Sequence, residues 1–250
     1  MVKPTGYGGR DYPDFGVSST AGGSAQITDL SELAVRLGGL NWFDRLGNVL
    51  VQEGFERGIT NWEQTYWPEG ANPVSSARYY STVPYSANLV TTTQNGSYSG
   101  ITRSFPFPYL ASFGVELHFK TIVPFKYLHW HLHFYDGTWK HYVGVRVNYA
   151  NSQIELINVE GDFEKVADLD IKIGANSPFH IIKATIDLDS DCYVRLMLDA
   201  NDYNVRDIGI LKEADNTSPY LYMIVFLTAV ASTANQVWVD NIIFTINEPL

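Results

Sequence analysis

Cysteine is nearly missing from this sequence. Cys192 stands alone, so no disulfide can form within the chain and folding in a reducing compartment is compatible with it. Its surroundings, SDCYVRLML, hold no histidine or basic cluster to activate the thiol, which reads as inert. Long apolar runs are missing too: nothing approaches the ~18 residues of a membrane span, and MVKPTGYGGRDYPDFG lacks the apolar stretch of a secretion signal. The expectation is a chain made and kept soluble inside a cell, with the sequons at Asn95 and Asn216 left unmodified. Positive charge is scarce, with 17 Lys and Arg against 27 Asp and Glu and a formal charge of −10. No basic run is available to neutralise a phosphate backbone, which argues against nucleic acid and anionic membranes as partners. G-x-S-x-G, a glycine-rich phosphate loop, H-E-x-x-H and a Cys–His arrangement are all absent, so hydrolase and nucleotide chemistry lack a starting point.

What is plentiful is apolar and aromatic. Hydrophobic residues make up 45% and aromatics 14% of the 250 residues, ample for one large core. Residues 1–27 are the exception, rich in Gly, Ser, Thr and Pro, and cannot bury enough surface to fold alone. They read as an extended N-terminal arm lying on its own domain or on a neighbouring subunit, with Tyr7, Tyr12 and Phe15 as anchors. Residues 28–52 read as a short helix plus a hairpin. In TDLSELAVRLGG, Leu30, Leu33, Val35 and Leu37 form a stripe, Asp29 and Glu32 a capping box, and Gly38 a stop, which predicts a helix over 30–37. NWFDRLGNVLVQ then places two β-prone runs around DRLGN.

From 53 to 250 the dominant pattern is alternation with period two. In SFGVELHFKT, Phe113, Val115, Leu117 and Phe119 share one face while Glu116, His118 and Lys120 share the other. Further strands are predicted over 87–93, 99–105, 127–135, 139–148, 153–159, 165–173, 179–188, 192–199, 220–229 and 236–246. That many strands with one short helix predict an all-β fold, an antiparallel two-sheet jelly-roll sandwich.

Particular stretches carry a resemblance. EGFERGITNWEQ (53–64) and VWVDNIIFT (237–245) resemble the first and last strands of jelly-roll carbohydrate-binding modules. PFHIIKATIDLDSDCYVRLMLDAND (178–202) resembles the paired strands of laminin-G-like, concanavalin-type lectin sandwiches. PTGYGGRDYPDFG, followed by a helix and a sandwich, is similar to uncharacterised phage-associated virion proteins. In the module families, acidic residues of the first and last strands often hold a structural calcium ion, which the resemblance maps onto Glu56 and Asp240. Two carboxylates fall short of the ~6–8 oxygens that calcium takes.

LHWHLHFYDGTW (128–139) places His129, His131 and His133 two apart. A two-residue turn at Asp136-Gly137 would pair Tyr135 with Thr138, His133 with Lys140, His131 with Tyr142 and Tyr127 with Arg146. Leu128, Trp130, Leu132, Phe134, Trp139, Val143 and Val145 then face the core, and His141 is a core-facing histidine held by a hydrogen bond. The opposite face gathers Tyr127, His129, His131, His133, Tyr135, Lys140, Tyr142, Arg146 and Asn148. Three readings fit it: a metal site, for which adjacent histidines ~6.5–7 Å apart grip one ion and a further ligand is needed from elsewhere, such as His118; a platform of rings for the C–H faces of sugars, with polar edges for hydroxyls; or a solvated or subunit-facing surface. His180 carries no signal. VEGDFEK sets Glu160, Asp162 and Glu164 in the spacing of the catalytic strand of retaining glucanases, which the motif resembles, but the stretch lies between two runs that pair across a turn, splaying the carboxylates into solvent.

Taken together, an unsignalled acidic sandwich with an aromatic arm predicts a non-enzymatic structural subunit of a phage particle, a capsid decoration or surface fibre protein. It would assemble through the arm with itself or other virion subunits and reside in the virion. The alternative is a carbohydrate-binding module or lectin-like adhesin using the Tyr127–Arg146 platform, and a lower one is a glycoside hydrolase using Glu160 and Glu164. No cofactor is required in the first two readings; structural calcium is what the resemblance adds.

Overall fold

The structure, a computed structural model, describes residues 47–82, 84–106, 112–230 and 233–249. The predicted arm with Tyr7, Tyr12 and Phe15, the helix over 30–37 and the first half of the following hairpin lie outside the described residues. The described part belongs to one compact unit, Gly47–Leu250. It holds two eight-stranded antiparallel sheets.

The first, the β6 sheet, runs in spatial order β13 (Asn201–Asn204), β12 (Cys192–Leu198), β11 (His180–Asp187), β6 (Ser112–Thr121), β16 (Gln236–Ile246), β4 (Ser86–Val90) and β3 (Asn72–Ser76). β1 (Asn48–Glu53) also pairs with β16. The second, the β7 sheet, runs β10 (Phe163–Asp168), β9 (Gln153–Ile157), β8 (Trp139–Asn148), β7 (Tyr127–Tyr135), β15 (Tyr220–Thr228), β5 (Tyr98–Pro106) and β2 (Glu63–Trp67), with β14 (Leu211–Ala214) also on β8.

Alternation explains the core. Phe113, Val115, Leu117 and Phe119 of β6 face Trp130, Leu132 and Phe134 of β7, all buried. Phe113 meets Phe134 with ring centroids 5.0 Å apart, and Phe105 meets Phe244 at 5.1 Å. Four short strands, β2, β3, β13 and β14, carry no alternating apolar signal because they are mostly exposed. β2, β3 and β13 are sheet edges, where β3 tolerates Pro73.

Two corrections concern the hairpin of β7 and β8. Tyr135 pairs with Lys140, His133 with Tyr142, His131 with Gly144 and Tyr127 with Asn148, a shift of two residues from the two-residue-turn register. The cause is Asp136, whose Oδ1 accepts the N–H groups of Thr138 and Trp139, both at 2.7 Å, and so stabilises a longer turn. A two-residue slip leaves every side chain on its predicted face. Trp139 is 40% exposed rather than core, since it stands at the end of its strand. His141 is buried, with Nδ1 2.9 Å from Asp191 Oδ1.

β16 carries a bulge between Asp240 and Ile243, with Asn241 at a φ of 44°. The extra residue switches the faces: Trp238 and Asp240 point away from the core before it, and Phe244 points inward after it.

Candidate functional site

The outward face of the β7 sheet is a field of rings. Cross-strand register lines up Tyr220, Tyr222, Ile224 and Phe226 of β15 beside Tyr135, His133, His131 and His129 of β7. Beyond β7 follow Lys140, Tyr142, Gly144 and Arg146 of β8, so the eight predicted platform residues do share one face.

The middle of that face is closed. His129 and His131 are only 8% and 9% exposed. The Phe226 ring lies 3.4 Å, centroid to centroid, from His129, while Phe163 of β10 stands about 6 Å from both imidazoles. The Arg146 guanidinium stacks 3.6 Å over Phe163 and 4.6 Å over Tyr127. Glu155 holds Arg146 through Nε and also accepts Asn148 Nδ2 at 2.8 Å. This pairing locks the roof rather than leaving a free cation.

Desolvation decides protonation in this row. Burial holds His129 well below the ordinary imidazole range, pushes His131 down to about 3 and His133 to about 4, and nearby positive or imidazole groups add to each shift. The Tyr142 hydroxyl, pushed up to about 12 by burial, bonds to His131 Nδ1. His131 Nε2 in turn lies 3.3 Å from His129 Nδ1. The consistent assignment is a relay of neutral donors, Tyr142 to His131 to His129. Both His131 nitrogens are thereby used, and among the described residues no group of three or more His, Cys, Asp or Glu side chains could hold a metal ion.

The opening in the face lies to the side, over β2, β5 and β15. A depression of about 460 Å³ has Tyr98, Tyr222, Ile224 and Phe226 for its apolar lining and Glu63, Gln64, Thr65 and Thr102 for its polar one. Its size falls in the ~300–1,000 Å³ range of small-molecule sites. Gly100 makes it: a Cβ there would sit 2.5 Å from Phe226 Cβ, so only glycine lets Phe226 settle across β5. Trp67, 45% exposed, pairs with Tyr98 on the same face. Sequence reasoning missed these residues, although the Tyr220, Tyr222, Phe226 alternation was the available signal.

Other candidates fall elsewhere. Glu160 and Glu164 are exposed, and Glu160 sits in the turn that joins β9 to β10, where Asn158 Oδ1 accepts the N–H groups of Glu160 at 3.1 Å and Asp162 at 3.0 Å. Such a tip does not form a nucleophile and acid pair. Asp240 is fully buried, and its carboxylate accepts the N–H groups of Ser81 at 2.6 Å, Thr82 at 2.9 Å and Asn241 at 2.8 Å. Burial still pushes it up to about 6. Glu56 is exposed, and its carboxylate lies over Gly54 close to Thr82. Backbone N–H groups and the Thr82 hydroxyl meet the Asp240 carboxylate, and with Glu56 it supplies two of the ~6–8 oxygen ligands that calcium takes.

No family profile matches the sequence, and no curated protein matches it. The fold does match solved structures at low identity. A sialidase aligns with TM-score 0.51 and 9% identity over 81% of this chain, which spans only 19% of the sialidase. A conserved carbohydrate esterase from the Shiga toxin-encoding bacteriophage phi24B aligns with TM-score 0.50 and 11% identity over 81% of this chain and 100% of its own. Lectin II from Ulex europaeus aligns with TM-score 0.50 and 11% identity over 80% of this chain and all of its own. The chain therefore has a concanavalin-like, jelly-roll sandwich fold.

Proposed function

We propose that this chain is a non-catalytic carbohydrate-binding module whose site is the depression between β2, β5 and β15. The observation that carries the reading is an aromatic lining of Tyr98, Tyr222 and Phe226 flanked by Glu63, Gln64 and Thr102 on an open sheet face. Rings offer flat apolar area to the C–H face of a pyranose, and the polar groups meet its hydroxyls. The predicted His129–His133 centre acts as a rigid support beside this site rather than as the contact surface, because it is roofed over.

A lectin of the same fold has been solved with galactose, which makes galactosides the first probes to try. Calorimetric titration of neutral galactans should show binding that Tyr222→Ala weakens by about tenfold or more. Equal affinity in wild type and Tyr222→Ala would sink the site.

A phage particle subunit remains the second reading. One fold neighbour is a phage protein. The reading rests on the arm, and light scattering of the full chain and of a variant lacking residues 2–27 tests it: oligomers that fall to monomers support it, and an arm-less chain that still assembles counts against it.

A further inference from the structure

A second cavity lies on the opposite side of the sandwich and has the opposite charge character. About 320 Å³ in volume, it is lined by Arg78, Tyr79 and Tyr80 of the segment between β3 and β4, Lys120 of β6, and Ser177 and Phe179 before β11. The chain carries a formal charge of −10, yet no carboxylate lines this cavity and both of its charged residues are cations. Among the described residues neither cation is in an ion pair; the side chains meet the backbone and hydroxyl of Ser177 and the rings of Tyr79 and Trp238.

Lys120 is 4% exposed. Its ammonium donates to the Ser177 carbonyl, lies 3.5 Å from Ser177 Oγ and sits 4.8 Å over the Tyr79 ring. Those contacts satisfy its N–H groups in part but leave the charge uncompensated, and desolvation lowers its pKa. Arg78 is exposed, with its guanidinium 5.2 Å from the centre of the Tyr79 ring and 6.0 Å from Trp238. Tyr79 meets Trp238 edge-on at 4.8 Å, so the ring beside both cations is braced from beneath. Tyr80, 41% exposed, and the half-buried Phe179 supply ring surface at the same mouth.

We infer that this cavity binds the carboxylate-bearing sugar of an acidic polysaccharide, with Arg78 and Lys120 on the carboxylate and the rings of Tyr80 and Phe179 against the pyranose. The inference rests on the carbohydrate-binding reading and extends it to a second, charge-selective site. A guanidinium fork matches a carboxylate through two parallel hydrogen bonds, and the partly desolvated ammonium adds charge where water screens it least. Phosphate and sulfate share that anionic chemistry, so the test must separate them.

Binding of polygalacturonate, dextran sulfate and neutral galactan to the full chain is measured for wild type, Arg78→Ala and Tyr222→Ala, with inorganic phosphate as competitor. The expected result is that Arg78→Ala weakens polygalacturonate binding by about tenfold while neutral galactan is unaffected, and Tyr222→Ala does the reverse. Arg78 is exposed, so its loss leaves the fold intact; Lys120→Met, checked by thermal melting, gives a second reading of the same site. Equal polygalacturonate affinity in wild type and Arg78→Ala, no polygalacturonate binding by wild type, tighter binding of dextran sulfate, or full displacement by inorganic phosphate would each overturn the proposal. Failure of the neutral site shows separately, as a loss of galactan binding in wild type.

Discussion

On β7 the outward positions Tyr127, His129, His131, His133 and Tyr135 all carry rings, whereas on β6 the outward positions Gly114, Glu116, His118 and Lys120 mix an imidazole with a carboxylate, an ammonium and a bare backbone. Both rows are deeply buried in part, and the two sheets solve the resulting desolvation differently. The β7 row is neutral: imidazoles lose their protons and aromatic neighbours cover them. The β6 row is paired apart from Lys120, whose ammonium meets Ser177 and the Tyr79 ring. His118 Nε2 meets Glu116 Oε1 at 2.8 Å, and Lys183 of β11 meets Glu248 at 2.6 Å with both side chains almost fully buried. Segments from outside the sheet complete that pairing, the 77–82 stretch through Ser81 and Thr82 on Asp240 and the tail through Glu248. Gly114 is required there, since a Cβ would lie 2.4 Å from Glu248 Oε1 and 2.9 Å from Lys183 Cε. Neutralisation leaves the middle of one face roofed by rings with its opening to the side over β15, β5 and β2, while pairing consumes much of the other face in its own bonds.

The comparison breaks most visibly at the ion pair. Lys183→Met strands the Glu248 carboxylate and should cost ~3–5 kcal/mol in urea unfolding, while the Lys183→Met, Glu248→Met double variant should recover most of it. A loss in the single variant no larger than in the double would show that the pair is not needed to bury these charges.

Acid should act on the other face. In the unfolded chain the three imidazoles protonate near their ordinary value, but folded His131 and His133 resist protons until about 3 and about 4, and His129 is also held low. Their stability is full above that ordinary value and is lost as pH falls. Asp240, raised to about 6, runs the other way by holding one proton in the folded state. The balance favours proton uptake on unfolding, so stability should drop by ~3 kcal/mol between about pH 6 and 4. His131→Gln should flatten that slope, and a slope unchanged by it would dispute the neutral relay. His180 contributes with the opposite sign: burial opposes its charge, but Asp199 at 2.6 Å and the Lys172 carbonyl outweigh it and raise the pKa, so its stabilisation is present in acid and fades as pH rises through the raised value.

Smaller still is the cost of opening the ring surface. Tyr222→Ala, half-buried on that face, should change unfolding free energy by ~1–2 kcal/mol while lowering galactan affinity about tenfold. Least of all, calcium or a chelator should move the melting temperature by less than about 1 °C, since donors already meet Asp240. A larger rise with calcium would reinstate Glu56 and Asp240 as ligands.

Much of the fold was legible. The limits of β7, β8 and β16 coincide with the predicted strands because each is long and alternates strongly. The exposed strands β2 and β14 were silent because a strand without a buried face leaves no period. The site was half legible: the platform residues share a face as expected, but the cavity opens over β15, β5 and β2. β15 lies beside both β7 and β5 although roughly 85 to 130 residues separate the paired positions along the chain, a pairing that no local pattern encodes.

By itself the sequence determined the all-β class and which side chains share a face, because the two-residue period is a local property of the extended backbone. The tertiary structure alone decided which outward faces are covered, which imidazoles are neutral and where cavities open. Those properties depend on neighbours from distant strands, and on the water those neighbours exclude.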